Sequence, residues 1–122
     1  MSVLALTGIA VLGAAGAYAR FAVGAWVGAR RPGAFPAGTF AVNLTGAFAL
    51  GLLTGFSVTG DALLVFGTGL LGAYTTFSTW MVEAQRLAEE AEFAAMTAYL
   101  ALSMVAGLAA AGLGWAIGGA LS

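Results

Sequence analysis

Four long apolar stretches, separated by three short polar interruptions, make up the whole chain. The first runs from about residue 3 to 29 and stops at Arg30-Arg31-Pro32-Gly33, where proline and glycine end a helix. The second starts near Pro36 or Gly38 and continues to about residue 56, with Thr39, Asn43, Thr45 and Thr54 as its only polar side chains. The third follows Gly60-Asp61 and covers about residues 62–87, with Asp61 placed to favour the positive N-terminus of a helix. The fourth covers about residues 93–119, and Thr97, Tyr99 and Ser103 are its few polar positions. A bilayer core of about 30 Å takes roughly 20 apolar residues as a helix. The pattern therefore predicts an all-α membrane protein of four transmembrane helices in one domain.

Composition sharpens this picture. Of the 122 residues, 61% are hydrophobic and 7% charged, with a mean hydropathy of +1.01; in soluble domains about a quarter of residues are charged. The nine charged residues are Arg20, Arg30, Arg31, Asp61, Glu83, Arg86, Glu89, Glu90 and Glu92. They form no basic stripe, so no nucleic-acid partner is expected. Cysteine and histidine are both absent, which removes disulfides, thiolate metal sites and the usual proton relay near neutral pH. The first stretch has no basic region ahead of its apolar run and is expected to stay as a mature helix rather than act as a signal peptide.

The third stretch carries the unusual chemistry. Gly72-Ala73-Tyr74-Thr75-Thr76-Phe77-Ser78-Thr79-Trp80-Met81-Val82-Glu83 crowds hydroxyls into an apolar span, and polar groups at that depth must find partners, face a cavity or be buried in protein. Gly67, Gly69 and Gly72 lower helix propensity just before Thr75 and Thr76, which can bond back to carbonyls. A break in the third helix is expected here, with freed carbonyls able to hold a cation. The competing expectation is a continuous helix whose hydroxyls all bond to the preceding turn. Beyond the break, Phe77 and Trp80 are three apart and share a face, where the positive edge of an aromatic ring can meet an anion.

Other polar positions admit two readings each. Arg20 either snorkels to the nearer interface or raises the positive potential at a pore entrance. Asn43 either joins helices or offers donors to a passing solute. Tyr99 and Ser103, four apart, either extend a hydroxyl ladder or serve their own helix and the interface. Glu83 and Arg86 are spaced to pair on one helix surface. Gly24 with Gly28, Gly51 with Gly55, and Gly114 with Gly118 have the GxxxG spacing of close helix packing, within or between subunits.

Three motifs together resemble the small fluoride channels of the CrcB or Fluc type over essentially the full chain. Gly13-Ala14-Ala15-Gly16-Ala17-Tyr18-Ala19-Arg20-Phe21 is similar to that family's first-helix signature. Gly38-Thr39-Phe40-Ala41-Val42-Asn43-Leu44-Thr45-Gly46 resembles its GTxxxN stretch, and Gly72 to Glu83 resembles its TTFST segment followed by glutamate. The resemblance implies an antiparallel dimer of four-helix subunits, the third helix broken mid-membrane, and a structural sodium ion at the dimer centre. It would place that sodium on the carbonyls of Gly72 and Thr75. It would place the pore asparagine at Asn43, the first ring of an aromatic box at Phe77, and a polar track at Ser78, Thr79, Tyr99 and Ser103. Arg20 would be the entrance arginine and Glu83 the glutamate of the third helix. One position departs from the family pattern: the second phenylalanine of the box is Trp80 here.

The expected function is passive, non-enzymatic export of fluoride across the cell membrane. Fluoride is small and strongly hydrated, so a pore must replace its water with dense hydrogen-bond donors; Asn43, Ser78, Thr79, Tyr99 and Ser103 can supply them without a fixed charge that would trap the ion. A proton-coupled small multidrug exporter is the alternative of another class. It needs an ionisable group deep in a span, whereas Arg20 and Glu83 both lie toward helix ends. A purely structural helix-packing membrane protein is the third possibility. Arg30, Arg31 and Arg86 lie beside the first and third loops, while the side with both termini holds no Lys or Arg. Positive residues favour the cytoplasm, so both termini are expected outside. The partner is then either a second copy of the chain, inserted the other way, or an oppositely oriented homologue.

Overall fold

The computed structural model describes all 122 residues, Met1–Ser122. It is entirely helical: α1 is Val3–Arg30, α2 Ala37–Gly55, α3 Gly60–Tyr74, α4 Ser78–Glu89 and α5 Phe93–Leu121. Helices α3 and α4 are the two halves of one span, so four segments are long and apolar enough to cross a membrane. This is a multi-pass integral membrane protein. The third span begins two residues before the expected start and ends two residues later; the ends of the others lie within two residues of those expected.

Burial runs opposite to that of a soluble domain. Only 16 of 122 residues are buried, and large apolar side chains such as Phe21, Leu108 and Trp115 are more than half exposed. Lipid is as apolar as these side chains, so packing between helices rests on dispersion at close approach. Two of the three GxxxG pairs provide that approach inside one subunit. A Cβ added at Gly51 or Gly55 of α2 would meet the carbonyl oxygens of Ala111 and Trp115, and one at Gly114 or Gly118 of α5 would meet those of Phe48 and Leu52. The third pair behaves differently: Gly24 lies against Gly38, while a Cβ at Gly28 would meet nothing within 4 Å.

Ser2 caps α1 by accepting from the Ala5 N–H at 3.0 Å, and donates its hydroxyl to Asp61 at 3.1 Å. This bond ties the N-terminus to the first turn of α3, as an even number of crossings requires. At the other end, Arg30 places its guanidinium 4.0 Å from the centre of the Trp26 ring. The aromatic ring of an interfacial tryptophan thereby anchors the end of α1.

The first half of the third span is wound unusually wide. Leu63–Leu71 forms a π-helix of nine residues, a winding that is rare and frequent at functional sites. Its buried glycines, Gly67 and Gly69, allow close approach to neighbours: a Cβ at Gly69 would be 3.0 Å from the Ile9 Cα of α1. The helix then ends at Tyr74. Thr75 is extended (φ −79°, ψ 160°), and helical structure resumes at Ser78.

Candidate functional site

The interruption at 75–77 is held by one side chain from the neighbouring helix. Asn43 of α2 accepts from the Thr76 backbone N–H through Oδ1 at 2.8 Å, and donates from Nδ2 to the Thr76 carbonyl at 2.9 Å. A carboxamide matches an extended peptide unit in this way because it offers one acceptor and one donor side by side. The bonds satisfy two backbone groups that would otherwise be orphaned at membrane depth. Thr76 is itself buried, and its Oγ1 accepts from the Thr79 N–H at 3.2 Å, capping α4. Thr75 instead bonds back, its Oγ1 donating to the Leu71 carbonyl at 3.0 Å.

Four consecutive carbonyls at the break are left over. With Thr76 N–H given to Asn43 and Thr75 N–H given to Leu71, the carbonyls of Gly72, Ala73, Tyr74 and Thr75 accept no hydrogen bond. The two oxygens expected to hold a cation, those of Gly72 and Thr75, are among them, and Gly72 is an exposed residue. Both residues line a cavity of about 280 Å³ together with Asn43, Gly46 and Leu71. Hard oxygen donors without a fixed charge suit a sodium ion. On the same flank, the Thr45 hydroxyl and the Tyr74 hydroxyl lie 2.8 Å apart in a hydrogen bond.

The remaining site residues fall into two groups on either side of Thr76. A large cavity of about 560 Å³ opens at the end carrying the first loop, and its wall includes Arg20, Arg31, Thr39, Thr76, Thr79 and Glu83. Arg20 has no ion pair there; the one salt bridge in the molecule joins Arg86 to Glu90 at 4.0 Å on the exposed surface. A smaller cavity of about 270 Å³ is lined by Asn43, Thr75, Thr76, Phe77, Trp80 and Ser103, with Met104. The break thus separates a charged antechamber from an uncharged, donor-bearing pocket.

Arg86 does not pair with Glu83, as their spacing suggested, but with Glu90 four residues on. Glu83 turns inward instead and accepts a hydrogen bond from the Tyr99 hydroxyl at 3.1 Å. Tyr99 is fully buried, packed edge-on against Phe35 at 5.4 Å and tilted to Trp80 at 6.4 Å. Tyr99 therefore serves α4, and no bond links it to Ser103. The rings of Phe77 and Trp80 lie 5.7 Å apart, with Phe77 largely exposed. Ser78 is exposed and borders neither cavity. Thr76, central to the geometry, was visible in the sequence only as one of four hydroxyls; its tie to Asn43 spans 33 positions and no local signal marks it.

The sequence that builds this break has relatives among known proteins. The family model described as "CrcB-like protein, Camphor Resistance (CrcB)" matches residues 7–115. The chain belongs to the CrcB family. Among its CrcB relatives, a Mycobacterium tuberculosis protein named "Fluoride-specific ion channel FluC 2" is 49% identical over 107 residues, covering 88% of this chain and 85% of its own length. A Symbiobacterium thermophilum protein named "Fluoride-specific ion channel FluC 1" is 48% identical over 116 residues, covering 90% and 94%. A Bacillus cereus "Fluoride-specific ion channel FluC 2" is 40% identical over 111 residues, covering 91% and 94%.

Proposed function

We propose that the chain is a passive, fluoride-selective ion channel whose pathway runs past the broken third span. The observation that carries this reading is the break itself: polar backbone held at membrane depth by Asn43, flanked on both sides by cavities rich in donors. Arg20, Arg31 and the hydroxyls of Thr39 and Thr79 favour an anion in the antechamber. Asn43, Phe77, Trp80 and Ser103 then offer it amide, indole and hydroxyl donors and ring edges, with no carboxylate to repel it and no fixed cation to trap it. Asn43 keeps one amide hydrogen free for this, since the other is held by Thr76. Thr79, on the antechamber wall, extends the polar track, whereas Ser78 borders neither cavity and the buried Tyr99 gives its hydroxyl proton to Glu83. Glu83, tied to Tyr99, orders the helix that carries the rings. No bond is made or broken in the process.

A single subunit cannot be the working unit in this reading. The unbonded Gly72 carbonyl and the Thr45–Tyr74 hydroxyl pair lie on an outer flank where lipid would leave them costly. An antiparallel dimer covers that flank and brings two sets of Gly72 and Thr75 carbonyls together around a structural sodium ion. The sodium would neutralise oxygen dipoles that no N–H satisfies. Liposomes carrying the protein should discharge an internal fluoride load and keep a chloride load; equal release of both anions would remove the assignment.

The partner in that dimer is decided by orientation. Arg30, Arg31 and Arg86 mark one side as cytoplasmic and put the termini outside. A tag on either terminus, in the chain expressed alone, should be accessible from outside in a single population, which identifies an oppositely oriented homologue as the partner. A mixed population identifies a homodimer instead.

A further inference from the structure

We infer that a row of four residues on the outer face of α1, Tyr18, Ala22, Trp26 and Arg30, binds one anionic phospholipid, with the phosphate at Arg30 and an acyl chain lying along the row toward Tyr18. The four are spaced four apart and so stack along one face of the helix. All are exposed, Tyr18 at 74% and Trp26 at 59%. The contacts that hold α1 in the subunit lie round the other side: Gly16 sits against the Leu70 carbonyl and Gly24 against Gly38, each two positions, or about 200°, from Tyr18 and Trp26. Ala22 leaves a notch between the two rings. At about 1.5 Å per residue, Arg30 stands about 18 Å from Tyr18 along the helix, close to half of the roughly 30 Å core of a bilayer. A chain that hangs from a headgroup at Arg30 therefore ends near the tyrosine.

The preference for an anionic headgroup rests on Arg30. Its guanidinium folds back along the helix, 4.0 Å from the centre of the Trp26 ring, and donates one N–H to the Trp26 carbonyl at 3.4 Å. This fixes the cation on the lipid side while most of its five donors stay unused. A guanidinium matches the oxygens of a phosphate with two parallel bonds. No carboxylate neutralises it, because the one ion pair in the molecule joins Arg86 to Glu90. Arg31, the next residue, adds a second cation free of any acid. A zwitterionic headgroup would bring its own ammonium to these two cations, with no acid paired to them to receive it. A headgroup whose phosphate is its only charge meets no such repulsion.

The test reads the lipid at Trp26 directly and does not depend on conduction. Trp80→Phe with Trp115→Phe leaves Trp26 as the sole tryptophan, and the full chain is placed in liposomes of mixed phosphatidylcholine and phosphatidylglycerol in which one or the other carries brominated, quenching acyl chains. At equal mole fraction, brominated phosphatidylglycerol should quench Trp26 with an affinity about fivefold above that of brominated phosphatidylcholine, the factor that one basic residue at an anionic surface contributes. Adding Arg30→Gln should bring that ratio close to one. Adding Arg86→Gln instead, which removes a charge from the same side of the membrane, should leave it unchanged. Equal quenching by the two lipids before either change would overturn the site. So would a preference that survives Arg30→Gln, or one that falls as far with Arg86→Gln, since either marks general attraction to a charged surface. Loss of the preference on adding inorganic phosphate would overturn the lipid as occupant in favour of a soluble oxyanion.

Discussion

Replacing Asn43 with Asp should lower fluoride flux by on the order of a hundredfold or more, the largest loss expected from any single side chain. Two effects add. The Asn43 amide donates to the Thr76 carbonyl at 2.9 Å; a carboxylate has no proton to donate and would place a second oxygen against that carbonyl. The same substitution sets a negative charge on the wall of both smaller cavities. Two like charges about 4 Å apart repel by about 4 kcal/mol at an effective dielectric of 20, and each 1.4 kcal/mol is a factor of ten. Asn43→Leu removes both Thr76 bonds without adding charge, so its flux should fall less than that of Asn43→Asp. Flux in reconstituted vesicles, normalised to the amount of folded protein, reads both variants. Undiminished flux in the Asp variant would mean that Asn43 neither pins the break nor borders the path.

Gly51→Ala should prevent stable folding rather than alter conduction. The new methyl would meet the Ala111 carbonyl oxygen and lie 3.0 Å from the Trp115 backbone nitrogen. Those are helix-backbone atoms with no rotamer to change, so α2 and α5 must separate along their length. Overpacking typically costs 1–3 kcal/mol and sometimes more; at a backbone contact the cost should be about 3 kcal/mol or above. Gly114→Ala should behave alike, since its methyl would meet the Phe48 carbonyl oxygen. Gly107→Ala and Gly112→Ala are the controls: nothing lies within 4 Å of either added methyl, and their stability should change by less than about 0.5 kcal/mol. Thermal unfolding in detergent ranks the four. A Gly51→Ala protein as stable as the Gly107→Ala protein would show that the α2–α5 seam is not packed this closely.

Hydropathy alone was enough to read the four spans, because a bilayer imposes one length and one composition on every crossing. The position of the break was also legible: Gly72 and the paired threonines concentrate low helix propensity and hydroxyl competition within five residues. What escaped was everything set by register between spans. Asn43 finds Thr76 across 33 positions and Glu83 finds Tyr99 across 16, and no local rule selects those pairs over Glu83 with Arg86. The π winding of Leu63–Leu71 was likewise hidden, since glycines at 67, 69 and 72 permit it without demanding it. For the same reason the GxxxG spacings did not say which helices they join; the structure spends Gly51, Gly55, Gly114 and Gly118 on one seam inside the subunit and leaves Gly28 open.

The division between antechamber and pocket explains why few charges suffice. Arg20, unpaired on the antechamber wall, can raise the local concentration of anions without binding them tightly. Past Thr76 the lining carries no charge, so in the proposed pathway an ion would be held by hydrogen bonds that can be exchanged one at a time. An exporter driven by protons would need an ionisable group at that depth, and the pocket offers none. The most direct measurement is therefore electrical. In a planar bilayer holding the protein, a tenfold fluoride gradient should set the zero-current voltage near the fluoride equilibrium potential, about 59 mV, and a tenfold chloride gradient at symmetrical fluoride should leave it near zero. A zero-current voltage that follows chloride, or the accompanying cation, would contradict the account.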